Sequence, residues 1–208
     1  MLNGPILVVE DVPNVLELLE ITLRFKGYQV VSAHNGVEGL EMIEKSRPAL
    51  VITDILMPRM DGYAFIQRIR TSGTEWSQIP VIFLSATYIT PEDKNFAMSL
   101  GATCFIEKPI EMESFLLTIG KIIAEESPSP LTYLNNQDFY IGYRERLEQK
   151  LRHKNTQIAR AESLLPNLPE EQKPAFQSML QTAENDRKDI KNELQEVYRA
   201  LDNFNKSG

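Results

Sequence analysis

Along the first part of the chain, short apolar runs alternate with longer amphipathic ones. PILVV, YQVVSA, ALVIT, PVIFLSA and ATCFIE are brief, almost wholly apolar and bounded by turn residues. That pattern predicts five strands buried on both faces. Between them, apolar residues recur at helical spacing: Val15, Leu18, Leu19, Thr22 and Phe25 in the first stretch, and Val37, Leu40 and Ile43 in the second. Phe65, Ile66 and Ile69 mark a third helix, Phe96, Ala97 and Leu100 a fourth, and Phe115, Leu116, Ile119 and Ile122 a fifth. Gly27 and Gly101 stand where helices should stop. Five strand–helix units in series predict an α/β class fold, a five-stranded doubly wound parallel sheet with helices on both faces.

The rhythm then changes. Ser127-Pro128-Ser129-Pro130 cannot continue a helix, and beyond it no strand pattern returns. Tyr140, Arg144, Leu147, Leu151, Lys154, Ile158, Ala161 and Leu165 step by four and three, as do Phe176, Leu180, Ala183, Arg187, Ile190, Leu194, Val197, Leu201 and Phe204. These are two heptad seams of roughly four heptads each. Pro166-Asn167-Leu168-Pro169 separates them, and Pro174 suits the first turn of the second helix. The expected organisation is therefore a domain over 1–126, a linker over 127–137 and an all-α helical hairpin or coiled coil over 138–208. Folding the seams antiparallel aligns Leu165 with Phe176, Leu151 with Ile190 and Leu147 with Leu194. One layer sets Lys154 against Arg187, which requires snorkelling or acidic partners. Pairing within one chain and pairing between chains both remain open at this stage.

Charge adds a second division. Residues 1–130 hold 10 Lys and Arg against 17 Asp and Glu, whereas residues 131–208 hold 12 of each, so the net charge of −7 lies wholly in the first part. Neither part has the basic surface expected for nucleic acid. No apolar run is long enough for a membrane span, no cleavable leader is evident, and the single cysteine, Cys104, has no disulfide partner within the chain. A cytoplasmic setting is the expectation.

The candidate chemistry lies at strand ends. Glu10 and Asp11 follow the first predicted strand, Asp54 the third, Ser85 the fourth and Lys108 the fifth. An open parallel sheet binds ligands outside the carboxyl ends of its strands, so these five residues should meet at one edge. Three carboxylates there form a hard oxygen site suited to Mg²⁺. Lys108 and Ser85 suit a phosphoryl group. A carboxylate beside a divalent cation can act as nucleophile toward a phosphoryl donor.

ILVVED, VITDILMPRMDG, LSAT and FIEKP, in this order and spacing, resemble the receiver domain of two-component response regulators over about residues 4–125. The resemblance implies that Asp54 is the phospho-acceptor, served by a histidine kinase. It implies that Asp11 binds Mg²⁺ directly, that Glu10 helps through water, and that the backbone carbonyl of Leu56 completes the protein ligands. Ser85 and Lys108 would hold the phosphoryl oxygens, Ala86 would leave room for them, Phe105 would be the rotating aromatic switch, and Lys108-Pro109 would be a cis peptide. Glu10 stands where aspartate is commoner and Ser85 where threonine is.

No enzymatic output is expected beyond Mg²⁺-dependent self-phosphorylation and self-dephosphorylation. The helical region carries the expected output through protein–protein contacts, either as a homodimer over residues 138–208 or through the face made by the fourth helix, fifth strand and fifth helix. The effector protein is unidentified and DNA is not the expected partner. Two alternatives stand beside this reading: a DNA-binding regulator with an atypical helical output, and a phosphorelay intermediate using His153. His153 is more simply an exposed helix residue.

Overall fold

The computed structural model describes residues 4–85, 90–124 and 132–207. The first unit ends at Leu134, and a second runs from Asn135. In the first, strands β1 (Ile6–Val9), β2 (Val30–Ala33), β3 (Leu50–Asp54), β4 (Val81–Ser85) and β5 (Cys104–Glu107) form one parallel sheet in the order 2-1-3-4-5. Helices α1 (Pro13–Phe25), α2 (Gly36–Ser46), α3 (Gly62–Arg70), α4 (Pro91–Ser99) and α5 (Met112–Ala124) connect and follow the strands. The chain leaves β1 toward β2 on one side and returns to β3 on the other, which places a topological switch point between β1 and β3.

Both faces of the sheet are covered, so the central strands are buried at every position rather than alternately. Ile6, Val8, Ile52, Ile82 and Leu84 pack with Leu16, Leu19 and Leu23 of α1 and Phe115 and Ile119 of α5. On the opposite face the Tyr63 ring meets Phe83 of β4 and Phe96 of α4. Asn35 caps α2 by accepting from the Val37 and Glu38 amides, and Thr90 with Asp93 forms a capping box on α4.

Two expectations need correction. The buried line of α1 is Leu16, Leu19 and Leu23, while Leu18 is 51% and Phe25 87% exposed. Two apolar lines compete on this helix, and only the geometry of docking chooses between them. The fifth strand is not buried on both faces. As the sheet edge it is half-covered, and Cys104 is only partly buried.

The second unit is a pair of helices, α6 (Asn136–Leu164) and α7 (Lys173–Ser207), joined through a 3₁₀ turn at Leu165–Asn167. They run antiparallel: Tyr140 meets Phe204, the Tyr143 hydroxyl donates to Glu193 at 2.6 Å, and Tyr198 donates to Glu148 at 2.7 Å. Pro174 is the second residue of α7, as its missing N–H favours. Lys154 pairs with Asp186 at 3.0 Å, and Arg187 turns to Glu184 at 3.6 Å. The like-charged layer is thus resolved by acidic neighbours one and three residues away. At the start of α6 the seam is displaced by one residue. Phe139 and Tyr143 are buried and stacked, and Arg144 pairs with Glu148 instead. Aromatic rings carry more apolar area than the aliphatic stem of an arginine, so the rings take the inner positions.

Candidate functional site

Parallel register sets Val9 beside Thr53, Asp54 beside Leu84 and Ser85 beside Glu107. The residues at or just past these strand ends therefore gather at the carboxyl edge, next to the switch point. Lys108 Nζ lies 2.6 Å from Asp54 Oδ1 and 2.7 Å from Glu10 Oε2. The Glu10 side chain is fully buried and that of Asp54 is 8% exposed, whereas Lys108 retains 22%. One partly exposed ammonium thus joins two nearly buried carboxylates. The second Asp54 oxygen accepts the Leu56 amide at 2.7 Å, and Glu10 Oε1 accepts the Val12 amide at 3.3 Å.

Position along the chain explains each partner. Lys108 is delivered by β5, and its own amide donates to the Ser85 carbonyl at 2.7 Å, which ties the β5 exit to the β4 end. The peptide bond that follows, Lys108–Pro109, is cis. Asp11 is half-buried beside Glu10. The Val12 side chain makes no capping hydrogen bond at the start of α1, and the Val12 amide donates to Glu10 instead. Asp54 does receive a local amide, and its other oxygen is committed to Lys108.

Burial raises the Glu10 carboxyl above its ordinary value of 4.5; the nearby Asp54 charge adds to this, and the Lys108 hydrogen bond offsets part of it. For Lys108, burial acts downward. The hydrogen bonds to Asp54 and Glu10 and the charges of both outweigh it, so the ammonium is held above the usual lysine value. The pocket is therefore short of positive charge and retains its lysine cation firmly.

Some supporting residues were not singled out from the sequence. A β-carbon on Gly62 would stand 2.3 Å from the Asp54 carbonyl oxygen, so only glycine permits this loop to close beneath the acceptor strand. Asp61 caps α3 by accepting the Ala64 amide at 3.0 Å. The Asp-Gly pair in MPRMDG was the available signal. Phe105 is half-buried in β5, with Lys94 Nζ 5.7 Å from its ring centroid. Ser85 is fully buried at the end of β4. Ala86 falls outside the described residues.

The donor chemistry fits a hard divalent cation. Glu10 and Asp54 present carboxylate oxygens to a single shared cation, and Asp11 is adjacent in sequence. Among the described residues no three His, Cys, Asp or Glu side chains converge in metal-ligand geometry. Lys108 joins two of the three expected carboxylates, Glu10 and Asp54.

Comparison with known proteins points the same way. The profile of the response regulator receiver domain matches residues 6–119, more than half of the chain. The transcriptional regulatory protein YkoG of Bacillus subtilis (strain 168) is 36% identical over 119 residues, 57% of this chain and 50% of that protein. The response regulator MprA of Mycobacterium avium (strain 104) is 34% identical over 123 residues, 59% of this chain and 52% of its own length. The chain thus spans about half the length of these relatives. Among solved structures, a response regulator from Chloroflexus aurantiacus J-10-fl superposes with a TM-score of 0.55 at 32% identity, covering 59% of this chain and 98% of the other. Chemotaxis protein CheY4 of Vibrio cholerae gives 0.53 at 30%, covering 57% and 98%. The family match ends before the helical pair. The expectation that DNA is no partner finds no support in relatives one of which is named a transcriptional regulator. No described helix is long and apolar enough to cross a membrane.

Proposed function

Because the chain belongs to the response regulator receiver family, we infer that it accepts a phosphoryl group from a histidine kinase on Asp54 and signals through its helical region. The observation that carries this reading is the shared contact of Lys108 with Asp54 and Glu10 at 2.6 and 2.7 Å.

The Asp54 carboxylate attacks phosphorus, a P–O bond forms, and the bond to the donor breaks with the leaving group taking the electron pair. Little covalent work falls to the protein, and positioning with charge neutralisation dominates. The Leu56 amide fixes one Asp54 oxygen. Lys108 transfers its contact to the incoming phosphoryl oxygens as a point charge. Ser85 serves the same oxygens, and Ala86 leaves them room. Glu10, Asp11, Asp54 and the Leu56 carbonyl would hold Mg²⁺, which supplies Lewis-acid neutralisation of the phosphoryl charge. Phosphorylation then biases a two-state face of α4, β5 and α5, with Ser85 and Phe105 moving together. The output is altered dimerisation or protein contact through residues 138–208.

Incubation with acetyl phosphate and Mg²⁺ tests the acceptor. The expected intact mass gains one phosphoryl group, and Asp54→Asn gains none. An adduct that survives in Asp54→Asn would place the acceptor elsewhere. Light scattering with Mg²⁺ and beryllofluoride tests the output, with dimer formation expected only when Asp54 is intact. The name of YkoG favours a second reading, in which the output is DNA binding. Affinity that falls steeply with salt in the phosphorylated chain would establish it.

A further inference from the structure

A short stretch at the end of the first unit meets a turn far from Asp54 in sequence. Thr132, Tyr133 and Leu134 lead directly into Asn135, whose side chain caps α6 by accepting the Asp138 amide at 2.9 Å. The Leu134 amide donates to the carbonyl of Ser99, the last residue of α4, at 3.1 Å. The final carbonyls of a helix have no partner within it, so a residue 35 positions later in the sequence supplies part of the C-cap of α4. The same stretch covers Gly101, the next turn residue but one. A β-carbon there would stand 3.4 Å from Tyr133 Cβ and 3.5 Å from the Thr132 oxygen. These are ordinary van der Waals contacts; it is the φ of +77° at Gly101 that disfavours a side chain there.

The other side of this turn is held differently. Arg70, the last residue of α3, is fully buried. It donates to the carbonyls of Gly101, Ser77 and Ile79, each at 2.9 Å. These charge-assisted bonds tie the turn to the body of the receiver. The stretch over 132–134 holds the same turn by one neutral backbone hydrogen bond and van der Waals contact, with the Tyr133 side chain close enough to Arg70 to act on its charge. Hydrogen bonds to this region are thus threefold from Arg70 and single from Leu134.

We propose that residues 132–134 are a releasable strap, which completes the C-terminal end of α4 and lets go when that end is displaced. Movement of the Ser99 carbonyl leaves the Leu134 amide without its acceptor, while Arg70 keeps the turn attached to α3 and to the segment that precedes β4. The release is read by the first turn of α6, to which Leu134 is joined through a single residue. This device rests on the phosphoryl-acceptor reading, because it takes phosphorylation as the cause of the displacement.

Amide exchange of the full chain, followed residue by residue by NMR, tests it with Mg²⁺ alone and with Mg²⁺ plus beryllofluoride. The Leu134 amide is expected to be protected with Mg²⁺ alone. It should exchange about fivefold faster or more once beryllofluoride is added, as for the loss of one hydrogen bond. Asp54→Ala should show no change. Tyr133→Gly, which removes the β-carbon packed against Gly101 and touches nothing in the acceptor pocket, should speed Leu134 exchange without beryllofluoride. If amides of α4 and β5 respond to beryllofluoride while Leu134 stays protected, the strap is overturned and the acceptor reading stands. If no amide responds, the acceptor reading falls and the release mechanism with it. An unchanged Leu134 in Tyr133→Gly removes the proposed clip itself.

Discussion

The two units handle charge in opposite ways. In the receiver, Lys108 faces two carboxylates whose side chains are almost out of solvent. In the helical pair, Lys154 faces Asp186, which remains 44% exposed. Buried charges are costly to separate and therefore fix a geometry, whereas exposed pairs are screened and contribute little. The first unit has concentrated its electrostatic tension at one strand edge. The second spreads its charges along helix surfaces and relies on apolar layers such as Ile158, Ile190, Leu194 and Val197.

The largest effect should come from the cores. Leu19→Ala, in the sheet-covering line of α1, is expected to cost about 3 kcal/mol, and Ile158→Ala about 2 kcal/mol. In urea denaturation followed by unit-specific probes, each change should move one transition. If both variants shift a single shared transition, the two units unfold as one body and the contrast between them dissolves.

Next comes the lysine exchange. Lys108→Met leaves two nearly buried carboxylates facing each other and should cost about 2 kcal/mol. Lys154→Met should change stability by less than about 0.5 kcal/mol. Equal losses would show that exposure does not separate the two sites.

The pH response sharpens the same point. Glu10 is raised above 4.5 in the folded chain, so protonation favours the fold. Its contribution is complete below 4.5 and is lost as pH rises through the higher folded value. Lys108 is raised above 10.5, so its contribution is complete below that value and is lost as pH rises past it. Denaturation midpoints of the receiver unit should fall in both windows. Glu10→Gln should abolish the acid-side slope, and a slope unchanged in that variant would assign it to another group.

A small effect is also expected at Lys94. Its ammonium over Phe105 is partly solvated, so Lys94→Ala should cost about 0.5 kcal/mol. It should also broaden the Phe105 ring resonances. Resonances unaltered by the change would make the contact incidental.

Much of the architecture was legible because burial on both faces leaves a short, continuous apolar signature in β1, β3 and β4. The edge strand β5 and the α1 face were read less well. Leu18 and Phe25 are as apolar as Leu16 and Leu23, and hydrophobicity alone does not say which line meets the sheet. Phe139 and Tyr143 displaced the expected seam positions for a related reason, since heptad stepping counts residues and packing weighs ring area. At the site, each strand-end residue was identifiable from its position after an apolar run. Gly62 and Arg70 were not, because their roles depend on what approaches them through space.

The sequence by itself determined the number and type of elements, the parallel sheet, and which polar residues would stand at its carboxyl edge. Local periodicity and the rules of strand connection need no distant information to act. Tertiary structure alone decided that Lys108 joins Glu10 to Asp54, that Asp186 relieves Lys154, and that Leu134 completes the end of α4. Each of those is a contact between residues far apart in the chain. Their energies depend on burial and on distances of a few tenths of an ångström, neither of which a linear pattern encodes.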